Sequence, residues 1–214
     1  GIWNIGAEGQ YIMGAIIGAG VGLAFYPSNA WYIFPLMVIC GGLGGCMWAM
    51  IPAILKARFN TNEILVSLLL VYVAENILAA MSLGLLRNPD GQGFPGSRNF
   101  KDFPAAHHDF LIPAAGLHWG VVFAIIAVAV AWFIMRYHVF GFRLRVLGES
   151  PRAARFAGVV PGRTVIYAFA ISGTLAGFAG LFEVTGPGGQ ITDSFNSGYG
   201  FTAIIVAFLG RLNP

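Results

Sequence analysis

Long apolar runs separated by shorter polar segments dominate the pattern of this chain. A helix needs about 20 apolar residues to cross the hydrocarbon core of a bilayer. Five runs come near that length: residues 10–25, 31–55, 64–86, 119–137 and 165–182. A sixth run, residues 201–209, is too short to span. The pattern predicts an all-α fold, a polytopic helical membrane bundle that forms one transmembrane domain over residues 1–214.

Composition agrees with a membrane location. Hydrophobic residues make up 57% of the chain and charged residues only 10%, whereas about 25% of the residues in soluble domains are charged. The net charge of +3 is small, so we interpret it as information about topology and expect no nucleic-acid partner. Cys40 and Cys46 lie six residues apart in one run, on different sides of a helix, and we expect no disulfide.

Positive charge is concentrated in two of the segments between the runs. Lys56 and Arg58 follow the second run. Six arginines lie at the end of the fourth run or after it: Arg136, Arg143, Arg145, Arg152, Arg155 and Arg163. Since an excess of Lys and Arg marks cytoplasmic loops, we predict that Lys56, Arg58 and the 138–163 loop face the cytosol. The segments 87–118 and 185–197 lack this excess and are predicted to face outward.

Small residues recur at four-residue spacing in three of the runs. This spacing lets helices approach closely in lipid. The positions are Gly14, Gly18 and Gly22, then Gly41 and Gly45, then Gly173 and Gly177. We therefore predict a compact bundle.

Two polar, glycine-broken segments adjoin apolar runs. Irregular backbone at membrane depth is tolerated where it lines a cavity or is buried in protein, and transporters place substrate near such helix breaks. We interpret residues 4–10 as a helix break whose Asn4, Glu8 and Gln10 face a substrate pathway, with an interfacial loop as the alternative. Residues 198–201 resemble a second interruption, either re-entrant or the start of a longer span.

Polar residues within or beside the spans are further candidates. Glu75 and Asn76 lie in the middle of the third run, where a charge is costly and should face the bundle interior. Either a pathway role or a structural carboxyl fits them. An outer segment holds His107, His108 and His118 with Asp102 and Asp109, but no clean ligand spacing, so we predict neither a metal site nor a cofactor.

The segment from Gly148 to Gly158 carries its own helix start and stop. Ser150 suits an N-cap, Pro151 the first helical position and Gly158 a left-handed stop. Arg152 and Arg155, three residues apart, share one face. A short, basic, capped helix between two spans favours docking to a cytosolic partner. The predicted coupling residues are Glu149, Ser150, Pro151, Arg152, Arg155 and Gly158.

Three motifs together resemble the permease subunits of ATP-binding-cassette importers: residues 4–10, residues 148–158 and the stretch from Gly198 to Pro214. Ala57-Arg58-Phe59 with Asn62-Glu63 is also similar to that family after its cytosolic turn. The resemblance covers nearly the whole chain and is greatest to the nucleoside and simple-sugar branch, relatives of ribose and branched-chain amino acid permeases. One departure is Val71, where the family pattern favours Asn.

The resemblance implies a permease that performs no covalent chemistry. Its partners would be cytosolic ATP-binding subunits, a second permease subunit and an extracytoplasmic solute-binding protein, in the inner membrane of a prokaryote. The chain has no phosphate-binding loop, so ATP hydrolysis would belong to the partner. Family members have about ten spans, and Gly1 is not an initiator, so we expect a fragment truncated at both ends.

Several alternatives remain open at this stage. Within the superfamily, the substrate could be ribose or a branched-chain amino acid. A second possibility is an ion-coupled secondary transporter that relays ions through Glu8 or Glu75. A membrane enzyme that uses His107 or His108 is a third. The coupling-like segment favours the importer over all of them.

Overall fold

The computed structural model describes residues 2–108, 110–112 and 116–210, and it confirms the all-α prediction. The helices are α1 (Ala7–Ala24), α2 (Ile33–Phe59), α3 (Glu63–Leu83), α4 (Trp119–Tyr137), α5 (Val139–Glu149), α6 (Pro151–Phe156), α7 (Pro161–Thr185) and α8 (Tyr199–Leu209). Two short antiparallel strands, β1 (Phe110–Ile112) and β2 (Leu117–His118), precede α4. Helices α2, α3, α4 and α7 are long and apolar enough to cross a membrane.

Glycine contacts bring α1, α2 and α7 together, as their spacing predicts. Gly14 of α1 lies directly against Gly177 of α7, and a Cβ on Gly177 would stand 3.1 Å from the Cα of Gly45 in α2. A Cβ on Gly18 would likewise stand 3.1 Å from the Cα of Gly41. Because side chains at these positions would separate the backbones, the three helices form the tightly packed centre of the bundle.

Helix α1 lies at that centre, with α3 packed on its remaining side. Its residues Ile12, Ala15 and Ala19 are fully buried. A helix enclosed by protein does not need an apolar surface for lipid, which explains how α1 holds buried Glu8 and Gln10. The core around it is completed by fully buried Met37 of α2, Leu78 of α3 and Leu181 of α7.

The start of α1 lies deep in the bundle. The indole Nε1 of Trp48 is 3.1 Å from where a Cβ on Gly9 would be. Trp48 is eleven residues before Phe59, the last residue of α2, which corresponds to about 16 Å along the helix axis. Gly9 therefore lies well within the length of α2, whereas Gly6 packs on Ser67 near the start of α3.

The two segments predicted to face outward are held to one another by hydrogen bonds. The N–H of Ser97 donates to the carbonyl of Ile191 at 2.8 Å, and the N–H of Ile191 donates to the Ser97 hydroxyl at 2.9 Å. The N–H of Phe100 donates to the carbonyl of Gly189 at 2.6 Å. Phe100 is buried at 1% exposure, so residues 97–100 form a packed cap over the end of α7.

The segment predicted as a cytoplasmic loop, residues 138–163, is largely helical, because it contains α5 and α6. His138 ends α4 and also caps α5, since its Nδ1 accepts from the N–H of Phe140 at 3.1 Å. At buried Gly141 a Cβ would stand 2.6 Å from the Cα of Met135. The chain therefore turns a tight corner and continues as helix.

Candidate functional site

Glu8 caps a helix that begins 190 residues later. Its side chain is fully buried, and its Oε1 accepts from the N–H of Gly198 at 3.2 Å, while Oε2 accepts from the N–H of Gly200 at 2.5 Å. Gly198 is the N-cap of α8. The first N–H groups of a helix lack intrahelical partners and carry partial positive charge. The carboxylate satisfies both requirements in a place that water does not reach.

The absence of a side chain at position 200 makes this contact possible. A Cβ on Gly200 would lie 2.5 Å from the backbone nitrogen of Glu8 and 2.8 Å from its Cα. No residue larger than glycine fits there without moving one of the helices. The starts of α1 and α8 are therefore in direct backbone contact.

Asn4 and Gln10 form a reciprocal pair of amide hydrogen bonds. The Asn4 Nδ2 donates to the Gln10 Oε1 at 2.8 Å, and the Gln10 Nε2 donates to the Asn4 Oδ1 at 2.9 Å. Asn4 Nδ2 also donates to the hydroxyl of Ser172 on α7 at 2.9 Å. Gln10 is 1% exposed. This pairing satisfies the polar groups of half-buried Asn4 and buried Gln10, and it ties the non-helical residues before α1 to α7.

Glu75 belongs to the same region, because the segment before α8 contacts it. Its Oε1 accepts from the Nδ2 of Asn196 at 3.4 Å, and its side chain is half-buried. Asn76 is exposed, with its Nδ2 donating to the carbonyl of Tyr72 one turn earlier. We use the name helix-break junction for Asn4, Glu8, Gln10, Glu75, Asn196 and the start of α8.

Aromatic rings pack beside the helix-break junction. The ring of Tyr11 is stacked on Phe195 with centroids 5.3 Å apart, and it meets Tyr199 edge-on at 6.1 Å. Tyr199 is 49% exposed. Among the described residues, the buried hydroxyl of Tyr11 has no hydrogen-bond partner. Tyr199 is therefore the accessible ring of this aromatic group, whereas Tyr11 is buried.

Helices α1 and α8 begin at the same level and extend in opposite directions. Helix α1 leads toward the outer segments, whereas Phe208, near the end of α8, stacks on Trp3 at 5.2 Å. Helix α8 has 11 residues, about 16 Å, which is too short to span. Transporters place substrate sites where helices are interrupted inside the bundle, and the starts of α1 and α8 meet at such a place. The remainder of the third motif, residues 211–214, lies outside the described residues.

The predicted start and stop of the coupling helix are confirmed. The Ser150 hydroxyl accepts from the N–H of Ala153 at 3.3 Å, and Pro151 is the first residue of α6. Gly158 has φ +74. The N–H of Gly158 donates to the carbonyl of Arg155 at 3.1 Å, and the N–H of Val159 donates to that of Ala154 at 2.9 Å. These two bonds form a Schellman stop.

Helix α6 has a buried side and an exposed side. Ala154 and Val159 pack in a cluster with Ala53 of α2 and Val165 of α7. The opposite side presents exposed Arg152, Arg155 and Phe156, and Phe156 is 93% exposed. The predicted coupling residues Glu149, Pro151 and Gly158 are also exposed, and Ser150 is half-buried. The helix is thus fixed to two spans while its basic, aromatic side is free of contacts within the described chain.

The outer histidines join their segment to α7. The Nδ1 of His107 lies 2.6 Å from the carbonyl of Thr185, and the Nδ1 of His108 lies 3.1 Å from its hydroxyl. The Nε2 of His108 lies 3.3 Å from the Nδ1 of His118. Within the described residues no group of three metal-ligating side chains has metal-site geometry. Asp109 lies outside the described residues.

The chain is similar to a known protein family and to several characterised proteins. The family model described as branched-chain amino acid transport system / permease component matches residues 1–214. The chain is 35% identical over 225 residues to the glucose ABC transporter permease protein TsgB13 of Haloferax volcanii, covering 99% of this chain and 57% of that protein. No solved structure matches the chain significantly.

Two further relatives are named as guanosine and nucleoside permeases. The guanosine ABC transporter permease protein NupP of Bacillus subtilis is 32% identical, covering 98% of this chain and 60% of that protein. The nucleoside ABC transporter permease protein NupB of Lactococcus lactis is 30% identical, covering 100% of this chain and 60% of that protein. The chain thus spans somewhat more than half the length of these relatives. Together with the apolar helices, these matches show a multi-pass membrane protein.

Proposed function

The chain belongs to the family of branched-chain amino acid transport system permease components, and from that membership we propose that it forms the transmembrane subunit of an ATP-driven importer. The subunit performs no covalent chemistry. It supplies the membrane pathway, and separate cytosolic subunits bind and hydrolyse ATP. The pathway opens alternately to the outside and to the cytosol as the bundle tilts.

The observation that supports this proposal most directly is the packing of α6 against α2 and α7. Its buried side packs on the cytosolic parts of α2 and α7 through Ala154 and Val159. Its exposed side offers Arg152, Arg155 and Phe156 to a partner. Arginine and aromatic side chains are enriched in protein interfaces. A partner that pushes on α6 therefore pushes on the tightly packed centre of the bundle.

We propose nucleosides or simple sugars as substrates. Relatives with glucose, guanosine and nucleoside names support this range. The accessible carboxylate of Glu75, the amide of Asn76 and the ring of Tyr199 support it chemically, since hydroxyl-bearing ring compounds are recognised by such groups. The proposed pathway residues are Asn4, Glu8, Gln10, Glu75 and Asn76.

These five residues would act in two ways. Glu75 and Asn76 are at least partly exposed on α3 and can contact substrate directly. Asn4, Glu8 and Gln10 are paired inside the protein. Their proposed part is to hold the starts of α1 and α8 in register, so that the pathway changes shape when these two helices move.

The proposed assembly follows the family. Two permease subunits, identical or homologous, stand over two ATP-binding subunits in the inner membrane of a prokaryote. A solute-binding protein delivers substrate to the outer segments. The packed cap formed by residues 97–100 and the segment near Ile191 offers a fixed surface for that delivery.

Uptake into proteoliposomes tests the proposed function. The full-length transporter is reconstituted with its ATP-binding subunits and binding protein, and uptake of labelled guanosine and glucose is measured. We expect uptake of one of them with ATP at the cytosolic face and none with a non-hydrolysable analogue. Dissipating the ion gradients should leave that uptake unchanged. Uptake that needs an ion gradient and ignores ATP would overturn the importer in favour of a secondary transporter.

A further inference from the structure

A cavity of about 280 Å³ lies at the corner between α4 and α5. The last turn of α4 and the first turns of α5 form its walls. Its lining residues are Met135, Arg136, Tyr137, His138, Val139, Phe142 and Arg145. No function proposed above uses this corner, which is separate from α6 and from the helix-break junction.

The cavity is lined by cations and by no acid. Arg136 and Arg145 both reach it, and His138 lies between them in the chain. Within residues 2–108, 110–112 and 116–210, neither arginine belongs to an ion pair. Glu149 is one turn beyond Arg145 but is not within ion-pair distance of it. One N–H of Arg145 donates to the carbonyl of Met135, which fixes the guanidinium at the corner.

The surroundings place the cavity at the edge of the membrane. Among the described residues, helix α4 buries none of its side chains, and its surface is apolar. Trp132 and Tyr137 lie near its end, with the Arg136 guanidinium carbon 5.9 Å from each ring centroid. Trp and Tyr are enriched where membrane meets water. The cationic groups therefore lie at headgroup depth.

We propose that the corner between α4 and α5 binds the headgroup of an anionic phospholipid. The phosphate would take hydrogen bonds from Arg136 and Arg145, which present planar donors suited to it. Exposed Val139 and Phe142 border the cavity, and they would contact the glycerol and upper acyl chain. Basic pockets beside membrane helices on the cytoplasmic side bind acidic headgroups in this manner. Free phosphate has no apolar part to use these two side chains.

Native mass spectrometry of the full-length transporter tests the site. Phosphatidylglycerol and phosphatidylcholine with the same acyl chains are added to the purified complex in detergent, and the bound lipid is counted. We expect phosphatidylglycerol to bind preferentially, and Arg136→Gln or Arg145→Gln to weaken its binding by about fivefold each. Arg143→Gln is the matched control, because Arg143 is an exposed arginine of α5 that does not line the cavity.

Each outcome of this experiment either supports or overturns the lipid site. Equal binding of the two lipids, or an equal loss in the Arg143→Gln protein, would show general charge attraction and overturn the site. Binding of inorganic phosphate without preferential binding of phosphatidylglycerol would show an anion site without a lipid and would also overturn the proposal. Arg136→Gln keeps the test valid if Arg145→Gln disturbs the helix corner, because among the described residues only Arg145 of these two arginines donates to the corner backbone. Loss in Arg136→Gln alone with Arg143→Gln intact supports the proposal.

Discussion

At the scale of single residues, Glu8 joins the start of α1 to the start of α8. A carboxylate accepts hydrogen bonds with both oxygens, and here both accept from the backbone of α8. A buried ion is costly unless it is paired or hydrogen-bonded. The positive end of α8 and its two N–H donors supply that compensation without a cationic side chain.

Replacing Glu8 with Gln should weaken this cap. The amide keeps one oxygen and places an NH₂ group against the second backbone N–H, which leaves a buried donor unsatisfied at a cost of about 1–3 kcal/mol. We expect Glu8→Gln to lower the melting temperature of the purified transporter and to reduce uptake. Thermal unfolding and proteoliposome uptake measure the two effects.

Glu75→Gln is the control for that substitution. Glu75 accepts a single hydrogen bond, from Asn196 at 3.4 Å, and is half-buried, and Gln retains an oxygen for it. Its melting temperature should change less than that of the Glu8→Gln protein. Equal melting temperatures for the two variants would argue against Glu8 as the cap of α8.

These residue-scale contacts were only partly predictable. The polar, glycine-broken stretch identified Asn4, Glu8 and Gln10 as candidates. Their partners Ser172, Gly198 and Gly200 lie more than 160 residues away, and a local pattern carries no information about such pairing. The glycines at 198 and 200 indicated a helix interruption in the sequence. Only the three-dimensional structure shows that the Glu8 carboxylate binds there.

At the scale of elements, α6 was the most predictable part of the chain. Ser150, Pro151 and Gly158 act on their own neighbours in sequence, so their residue types fix the start and stop of the helix. The length of α5 was not predictable in the same way. The start of α5 depends on His138, which ends α4 and caps α5. Buried Gly141 then allows α5 to contact the end of α4.

Charge reversal on α6 tests its docking role. Arg152→Glu with Arg155→Glu changes two exposed side chains and none of the residues that seat the helix on α2 and α7. We expect the ATP-binding subunit to be lost during purification while the melting temperature of the permease is kept. Arg143→Glu is the control and should retain the subunit. Unchanged co-purification of the doubly reversed protein would refute the docking role.

At the scale of the whole molecule, hydrophobic length was sufficient to find the helices that can span a membrane. Four of the five runs correspond to α2, α3, α4 and α7, because burial in lipid acts on each helix separately. The first run lies in α1, which is enclosed by protein. The depth of α1 was not predictable. It is set by the stacking of Gly9 on Trp48 and of Gly14 on Gly177, which are contacts between helices.

Site-specific cross-linking tests the coupling of this bundle to an ATPase most directly. Cys40 and Cys46 are first replaced by Ala, since both are free thiols. Phe156→Cys is then introduced on α6, and Phe94→Cys, at a position 76% exposed in the outer segment, is the control. We predict that a bifunctional thiol reagent joins position 156, but not position 94, to the ATP-binding subunit, and that the yield changes when ATP is added. No cross-link at 156, or equal cross-linking at 94, would contradict the coupling of α6 to an ATPase.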